Sequence, residues 1–352
     1  MKNCDYVGVV HLHSDHSFDG TVPIGEILEA ARETGLDFLM LTDHSTLAAR
    51  GREGWNKSVL LIVGQEISPR FNHYIAFGLD DPIVVDEEEE LPPQEYIDAV
   101  SQAGGMGFIA HPDHEGTDMF HVKHFPWVDW SVEGYTGMGI WDFMTDWQSG
   151  LTSFPRALAA YFFPAWVLRG PRKVTLSRWD YLNRRRKVVG IGELDNHSTI
   201  YRFFGLDLRV FPFEKAFRFI RTHIVTDAPL SGRDADDIRT LLACLRRGRV
   251  FFALEYFREA RGFTFRVDDG GREALMGDDF LLDRSARLSV TVPYPGRIRV
   301  MRNGKPCCQE DGRELEHRIT GDGNYRVEVF LKARGAHRPW IFSNPVYVKR
   351  ES

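Results

Sequence analysis

Five short apolar runs in the first two hundred residues each end in side chains able to bind a metal, and this repeated ending constrains the fold more than any other feature. Residues 6–10 lead into His11-Leu12-His13, residues 38–41 into Thr42-Asp43-His44, and residues 59–63 into Gly64-Gln65-Glu66. Residues 107–110 lead into His111-Pro112, and residues 188–191 into a stretch ending Asp195-Asn196-His197. In a barrel of parallel strands the C-terminal strand ends share one face, so residues far apart in sequence become neighbours there. Side chains alternate along an extended segment, which aims His11 and His13 the same way and does the same for Asp195 and His197. Pro112 biases His111 toward extended geometry. A single histidine at a strand end is ordinarily a hydrogen-bonding or capping group. Packing does not ask for five such endings together, and the set points to a metal site.

Helical patterns fall between the runs, as β-α units require. Residues 23–34 begin at a proline and stop before Gly35, and residues 94–103 stop at Gly104-Gly105. Residues 128–132 read as a further strand that would aim Glu133 at the site. From about 127 to 183 the texture becomes an aromatic-rich insertion holding Trp127, Trp130, Trp141, Trp147, Trp166 and Trp179, read as core. A helix at 234–247 closes the region. Beyond Gly248, strand-like pieces at 263–267, 288–292, 297–301 and 325–330, with a turn at Asn303-Gly304, suggest an antiparallel β-sandwich. A chain of 352 residues exceeds one ordinary core, and the division expected is 1–247 and 248–352.

The net charge of −6 disfavours general polyanion binding. The local basic run Arg184-Arg185-Arg186-Lys187 reads as a solvated helix end, where cations suit the helix dipole. Among the four cysteines, Cys4 and Cys244 stand alone and Cys307-Cys308 are adjacent, so there is no C-x-x-C spacing and a reducing, cytoplasmic setting is expected. No signal-peptide pattern opens the chain. The apolar stretch 157–168 is interrupted by Pro164 and is shorter than the ~17–25 residues of a spanning helix, so a packed helix beneath the surface is expected and no membrane span. The acidic run 86–90 reads as a solvated loop.

The ordered motifs resemble the PHP (polymerase and histidinol phosphatase) metal-dependent hydrolases. The family's H-x-H-S-x-x-S-x-D-G is met by His11-Leu12-His13-Ser14-Asp15-His16-Ser17-Phe18-Asp19-Gly20. Thr42-Asp43-His44, Glu66, His73 opening H-Y-I-A-F-G, Ala110-His111-Pro112 and Asp195-x-His197 follow in order, and the similarity covers roughly residues 5–230. The ending Arg338-Pro339-Trp340-Ile341-Phe342-Ser343-Asn344-Pro345 resembles the β-sandwich tail of the carbaryl-hydrolase-like (CehA/McbA-type) branch. The resemblance implies an α/β fold, a distorted (β/α)7 TIM-like barrel with a C-terminal β-sandwich, and up to three divalent metal ions. It assigns His11, His13, Glu66 and Asp195 to the first ion, Asp19, His44 and His197 to the second, and Glu66 with His73 and His111 to the third. Asp43, Glu66 and His197 are the candidates for catalytic roles, Asp43 by orienting the neighbouring His44. The chain departs from the family at Glu193-Leu194 before Asp195 and at Asn196, which bears on pocket shape; Glu193 is expected to face solvent. His16 is at most a neighbour of the ligands. His114, His121 and His124 either contact substrate or supply a general acid, or sit in a mobile surface loop.

Clustered divalent ions acidify water and neutralise charge growing on substrate oxygens. The function expected is hydrolysis of a small phosphate ester or nucleotide by a metal-activated hydroxide at a trinuclear site. The alternative is a carboxyl-ester or carbamate hydrolase using the same ions. A nuclease ranks behind both, and a non-catalytic protein with structural metals behind those. Imidazole and carboxylate donors suit Zn, Mn or Fe. The partner expected is a small, phosphorylated ester, with neither nucleic acid nor membrane involved.

Overall fold

Strands buried on both faces build the first part of the chain, a mixed α/β arrangement. The computed structural model describes residues 3–86, 91–117, 122–203, 206–333 and 335–350. The five apolar runs all form strands: Cys4–Val10, Phe38–His44, Val59–Ile67, Met106–Ile109 and Val189–Glu193. Val9, Leu39, Leu41, Leu61 and Val63 enter one core, while Val10, Met40, Leu60 and Ile62 enter another. Both faces being covered, the strands read as continuous apolar runs rather than alternating ones.

Cys4–Val10 pairs in parallel with Phe38–His44, which pairs in parallel with Val59–Ile67. Two antiparallel partners follow, Tyr74–Phe77 and Met106–Ile109; then Gly137–Asp142 and Val189–Glu193 add in parallel. The register sets His44 opposite Glu66 and Leu39 opposite Leu61. On its other edge Cys4–Val10 pairs antiparallel with Ile220–Thr226. Helices Ile24–Glu33, Pro93–Gln102 and Asp234–Arg247 lie where their start and stop signals place them.

Three expectations give way. Residues 128–132 are not a strand: the Asn72 carboxamide oxygen accepts the N–H groups of Val128 and Asp129, which fixes a turn, and Glu133 is exposed with its backbone tied to Gln94. The strand is instead Gly137–Asp142, whose glycines hide it in the sequence; a Cβ on Gly137 would stand 2.2 Å from the Val189 carbonyl. The stretch 157–168 is not packed under the surface. It forms the short helices Phe154–Phe162 and Pro164–Val167, and Phe154, Leu158, Phe162 and Phe163 are all more than half exposed. No helix among the described residues is long and apolar enough to cross a membrane. Residues 87–90 of the acidic run lie outside the described residues.

Of the insertion's tryptophans, Trp127, Trp141, Trp147 and Trp179 are buried. The basic run does follow a helix end, with Arg186 donating to the Tyr135 carbonyl and Lys187 paired with Asp279 at 2.6 Å.

After residue 248 the chain is β-rich around a core of its own. The pieces expected at 288–292 and 297–301 are one strand, Ala286–Arg302, whose pairing with Lys305–Ile319 shifts register between Thr291 and Gly296. Asn303 and Gly304 both take positive φ, 51° and 81°, as a two-residue hairpin turn demands. The two parts are continuous through Val250–Leu254, which pairs with Ile220–Thr226 on one side and Ala336–Ser343 on the other. Asn344 fastens the junction: its amide donates to the carbonyls of Gly190 and Val250, and its oxygen accepts the Gly190 N–H.

Candidate metal centre

Strand ends deliver the side chains, but three of them arrive by leaving extended geometry. His11 has φ 70°, His111 φ 26° and Asp195 φ 49°, values uncommon for residues with a Cβ. Strand alternation is therefore not what brings His11 beside His13 or Asp195 beside His197, and Pro112 does not hold His111 extended. The backbone turns inward at these residues, held by hydrogen bonds from His11 N–H to the Met40 carbonyl and from Asp195 N–H to the His11 carbonyl.

All nine expected ligand residues converge, in three overlapping groups whose donor atoms lie within 4.8 Å of one another: His11, His13, Glu66 and Asp195; His13, Asp19, His44 and His197; Glu66, His73 and His111. Glu66, 1% exposed, is the hub. Its Oε2 lies 3.2 Å from His11 Nε2, 3.4 Å from His13 Nε2 and 3.2 Å from His44 Nδ1. Its Oε1 lies 2.8 Å from His73 Nδ1 and 3.2 Å from His111 Nε2. Asp195 Oδ1 is 3.4 Å from His11 Nε2 and 3.5 Å from His13 Nε2. Asp19 Oδ2 is 3.3 Å from His44 Nε2 and 3.1 Å from His197 Nε2.

These residues fit metal ions. His11 Nε2, His13 Nε2, Glu66 Oε2, Asp19 Oδ1, His111 Nδ1 and His197 Nε2 are buried with no hydrogen-bond partner, an expensive arrangement unless something else satisfies them. Two donors each about 2.1 Å from one tetrahedral ion stand about 3.4 Å apart, close to the spacings seen around Glu66 and Asp195.

The groups behind the cluster differ from the sequence expectation. Glu193 does not face solvent. It is wholly buried, with Oε1 3.2 Å from His11 Nδ1 and Oε2 accepting the His111 N–H at 3.0 Å. A carboxylate on the far ring nitrogen fixes the tautomer that leaves Nε2 free to ligate. Asp43 does not orient His44; its oxygens accept the Ser14 N–H and Oγ–H at 2.6 and 2.8 Å, so it anchors the loop that carries His13. The His44 ring is held instead by Ser68 Oγ, 2.7 Å from Nδ1, while Ser17 Oγ accepts the His44 N–H and lies 3.1 Å from His13 Nδ1.

Burial, together with His197 and His44, pushes His13 down to about 3, keeping it the neutral donor that a metal needs. Burial works against ionising Glu66, yet His11, His44 and His73 hold its carboxyl well below the usual range. Asp142 beside the cluster is pushed up to about 8 by burial and by Asp195 and Glu193.

A cavity of about 230 Å³ opens onto the cluster, walled also by Phe18, Arg70, Lys123 and Phe125. None of these four stood out in the sequence, since a lone arginine after Ser68-Pro69 carries no pattern. Arg70 lies over the Phe71 ring at 4.2 Å and donates to the His124 carbonyl. His16 and His124 are exposed, and His121 lies outside the described residues. His114 is buried against Gln148, 2.9 Å from Nε2 to Oε1, and pushed down to about 4 by burial and by His111.

Residues 10–124 match the PHP domain. No curated protein matches the chain. Among solved structures, a two-domain protein from Bacteroides vulgatus containing a predicted PHP-like metal-dependent phosphoesterase is similar at 16% identity and a TM-score of 0.42, over 97% of this chain and 95% of that one. An amidohydrolase from Chromobacterium violaceum with bound sulfate and no metal is similar at 14% identity and a TM-score of 0.31, over 58% of this chain and 92% of that one.

Proposed function

We propose that this chain, which carries a PHP domain at residues 10–124, is a metal-dependent phosphoesterase that hydrolyses a small phosphate ester or nucleotide. One observation supports this above the rest: nine ligand-type side chains converge, six of them with a buried donor atom left unsatisfied, beside a cavity lined also by Arg70 and Lys123. His11, His13, Glu66 and Asp195 would hold one ion, Asp19, His44 and His197 a second, and Glu66, His73 and His111 a third. When bound, divalent ions supply positive charge for the substrate oxygens and lower the pKa of water. The metals we assign are Zn, Mn or Fe.

The chain's own residues do the positioning. Glu66 stays ionised and faces all three groups, His13 stays neutral, and Glu193 locks the His11 ring and the His111 backbone at once. Asp43 acts through Ser14 on the His13 loop. Arg70 is suited to a phosphoryl group because its guanidinium presents paired donors. Phe18 and Phe125 offer apolar faces to an attached aryl group or base. Our reading takes the sheet as a distorted (β/α)7 barrel, with Leu194 and Asp195 donating backbone hydrogen bonds back to Val10 and His11 in its support, and the β-rich part from 248 as an accessory sandwich.

Protein reconstituted with Mn(II), Zn(II) or Fe(II) is expected to release phosphate from an aryl phosphate or nucleotide panel, and His11→Ala to lose that activity while keeping its fold. No release with any metal refutes the proposal. Turnover of aryl esters or carbamates without phosphate release selects the carboxyl-ester reading, which the apolar Phe18 and Phe125 walls favour.

A further inference from the structure

We propose that Cys307, Cys308 and His317 form a second, separate metal site, on the β-rich part of the chain, for a soft thiophilic cation such as Cu(I) or Zn(II). Their three donor atoms lie within 4.8 Å of one another. Adjacent residues of a regular strand point to opposite faces, which would keep two neighbouring thiols apart. This strand is not regular there. Val300 pairs with Cys308 and Met301 with Pro306, so Cys307 is the extra residue of a bulge, a device that re-aims side chains. His317 stands well down the same strand, beyond the register shift between Thr291 and Gly296, and nevertheless reaches both thiols.

The surroundings suit a cation bound through sulfur. Cys307 is exposed, whereas Cys308 and His317 are half-buried, so the cluster has an open side for entry or for a further ligand. The Arg302 guanidinium does not fill the site, being engaged by the Asp322 carbonyl at 2.8 Å. Glu310 adds negative charge beside Cys308. Two cysteine sulfurs with one imidazole select soft or borderline ions, unlike the sulfur-free cluster of the first site.

That contrast supplies the test, which does not depend on any enzymatic activity. Full-length protein, fully reduced with a phosphine, is titrated with Cd(II) while thiolate-to-metal charge-transfer absorption is followed in the ultraviolet. The nine residues of the first site contribute no sulfur and therefore no band. The proposal expects a band that saturates at one ion per chain, that disappears in Cys307→Ser/Cys308→Ser, and whose affinity falls in His317→Ala by at least the about 10–100-fold that loss of even an outer partner of a metal site costs. Circular dichroism verifies that each variant is folded. Absence of a band when the thiols react freely with a disulfide reagent overturns the proposal. So does a band that survives the double serine variant, or one indifferent to His317→Ala.

Discussion

Glu193 offers the sharpest test of the candidate metal centre, because the same defect can be produced from a residue that touches no histidine. Each Glu193 oxygen accepts from a different donor, the His11 ring at 3.2 Å and the His111 N–H at 3.0 Å. Glu193→Gln keeps the shape but brings one amide NH2 against one of those donors, leaving a buried donor unpaired at a cost of about 1–3 kcal/mol. Loss of such an outer partner lowers metal affinity about 10–100-fold, or about 1.4–2.7 kcal/mol. Gly139 is what makes room for the carboxylate: a Cβ there would stand 1.5 Å from Glu193 Oε2. Gly139→Ala must therefore displace Glu193 and weaken metal binding by a comparable factor. The assay is competition for Zn(II) or Mn(II) against a fluorescent chelator, with circular dichroism as the folding control. Because both variants remove one interaction, the double variant should bind little worse than either single one. Wild-type affinity in Gly139→Ala, or full additivity in the double variant, would refute the reasoning.

Three further outcomes follow from contacts already described. His223 sits wholly buried between Asp5 at 2.8 Å and Glu255 at 3.1 Å; burial opposes its charge, but the two carboxylates raise it to about 9. Because the folded value lies above the unfolded one, its contribution is complete below pH ~6.5 and is lost as pH rises through about 9. Up to about 3 kcal/mol is at stake, and thermal melts of metal-loaded His223→Gln should show a flatter pH dependence across that window. Arg70→Ala should raise KM for an aryl phosphate about tenfold or more while leaving carboxyl-ester turnover unaffected, as steady-state kinetics on the two substrates would show. Asn344→Ala removes the side-chain partner of the Gly190 N–H and the Gly190 carbonyl, at about 1–3 kcal/mol for each group left unpaired, while the Val250 carbonyl keeps the backbone N–H of residue 344; the loss is measurable as a lowered denaturant midpoint.

What could be read from the sequence was whatever has a local signature. An apolar run ending in a ligand-type side chain marks a strand end, and the acidic first turn and trailing Gly248 bracket the helix Asp234–Arg247. What escaped depended on tertiary partners. Gly137–Asp142 was hidden because its glycines serve close approach to Val189 and Glu193 rather than turns. Glu193 looked like a surface charge because nothing local to it announces that Gly139 leaves it a buried pocket. Asp43 was matched to the adjacent His44, whereas strand geometry sends its oxygens to Ser14, across in another loop. Arg70 and Lys123 meet at the cavity only through the folding of separate loops.

The left-handed backbone at His11, His111 and Asp195 has a consequence for stability. Positions of this kind hold roughly 1–3 kcal/mol of strain each, and glycine would be relieved of it. Glycine at any of the three positions would relieve that strain at the loss of the side chain it brings to the cluster. At these three positions the fold trades backbone stability for the placement of two imidazoles and a carboxylate in the cluster.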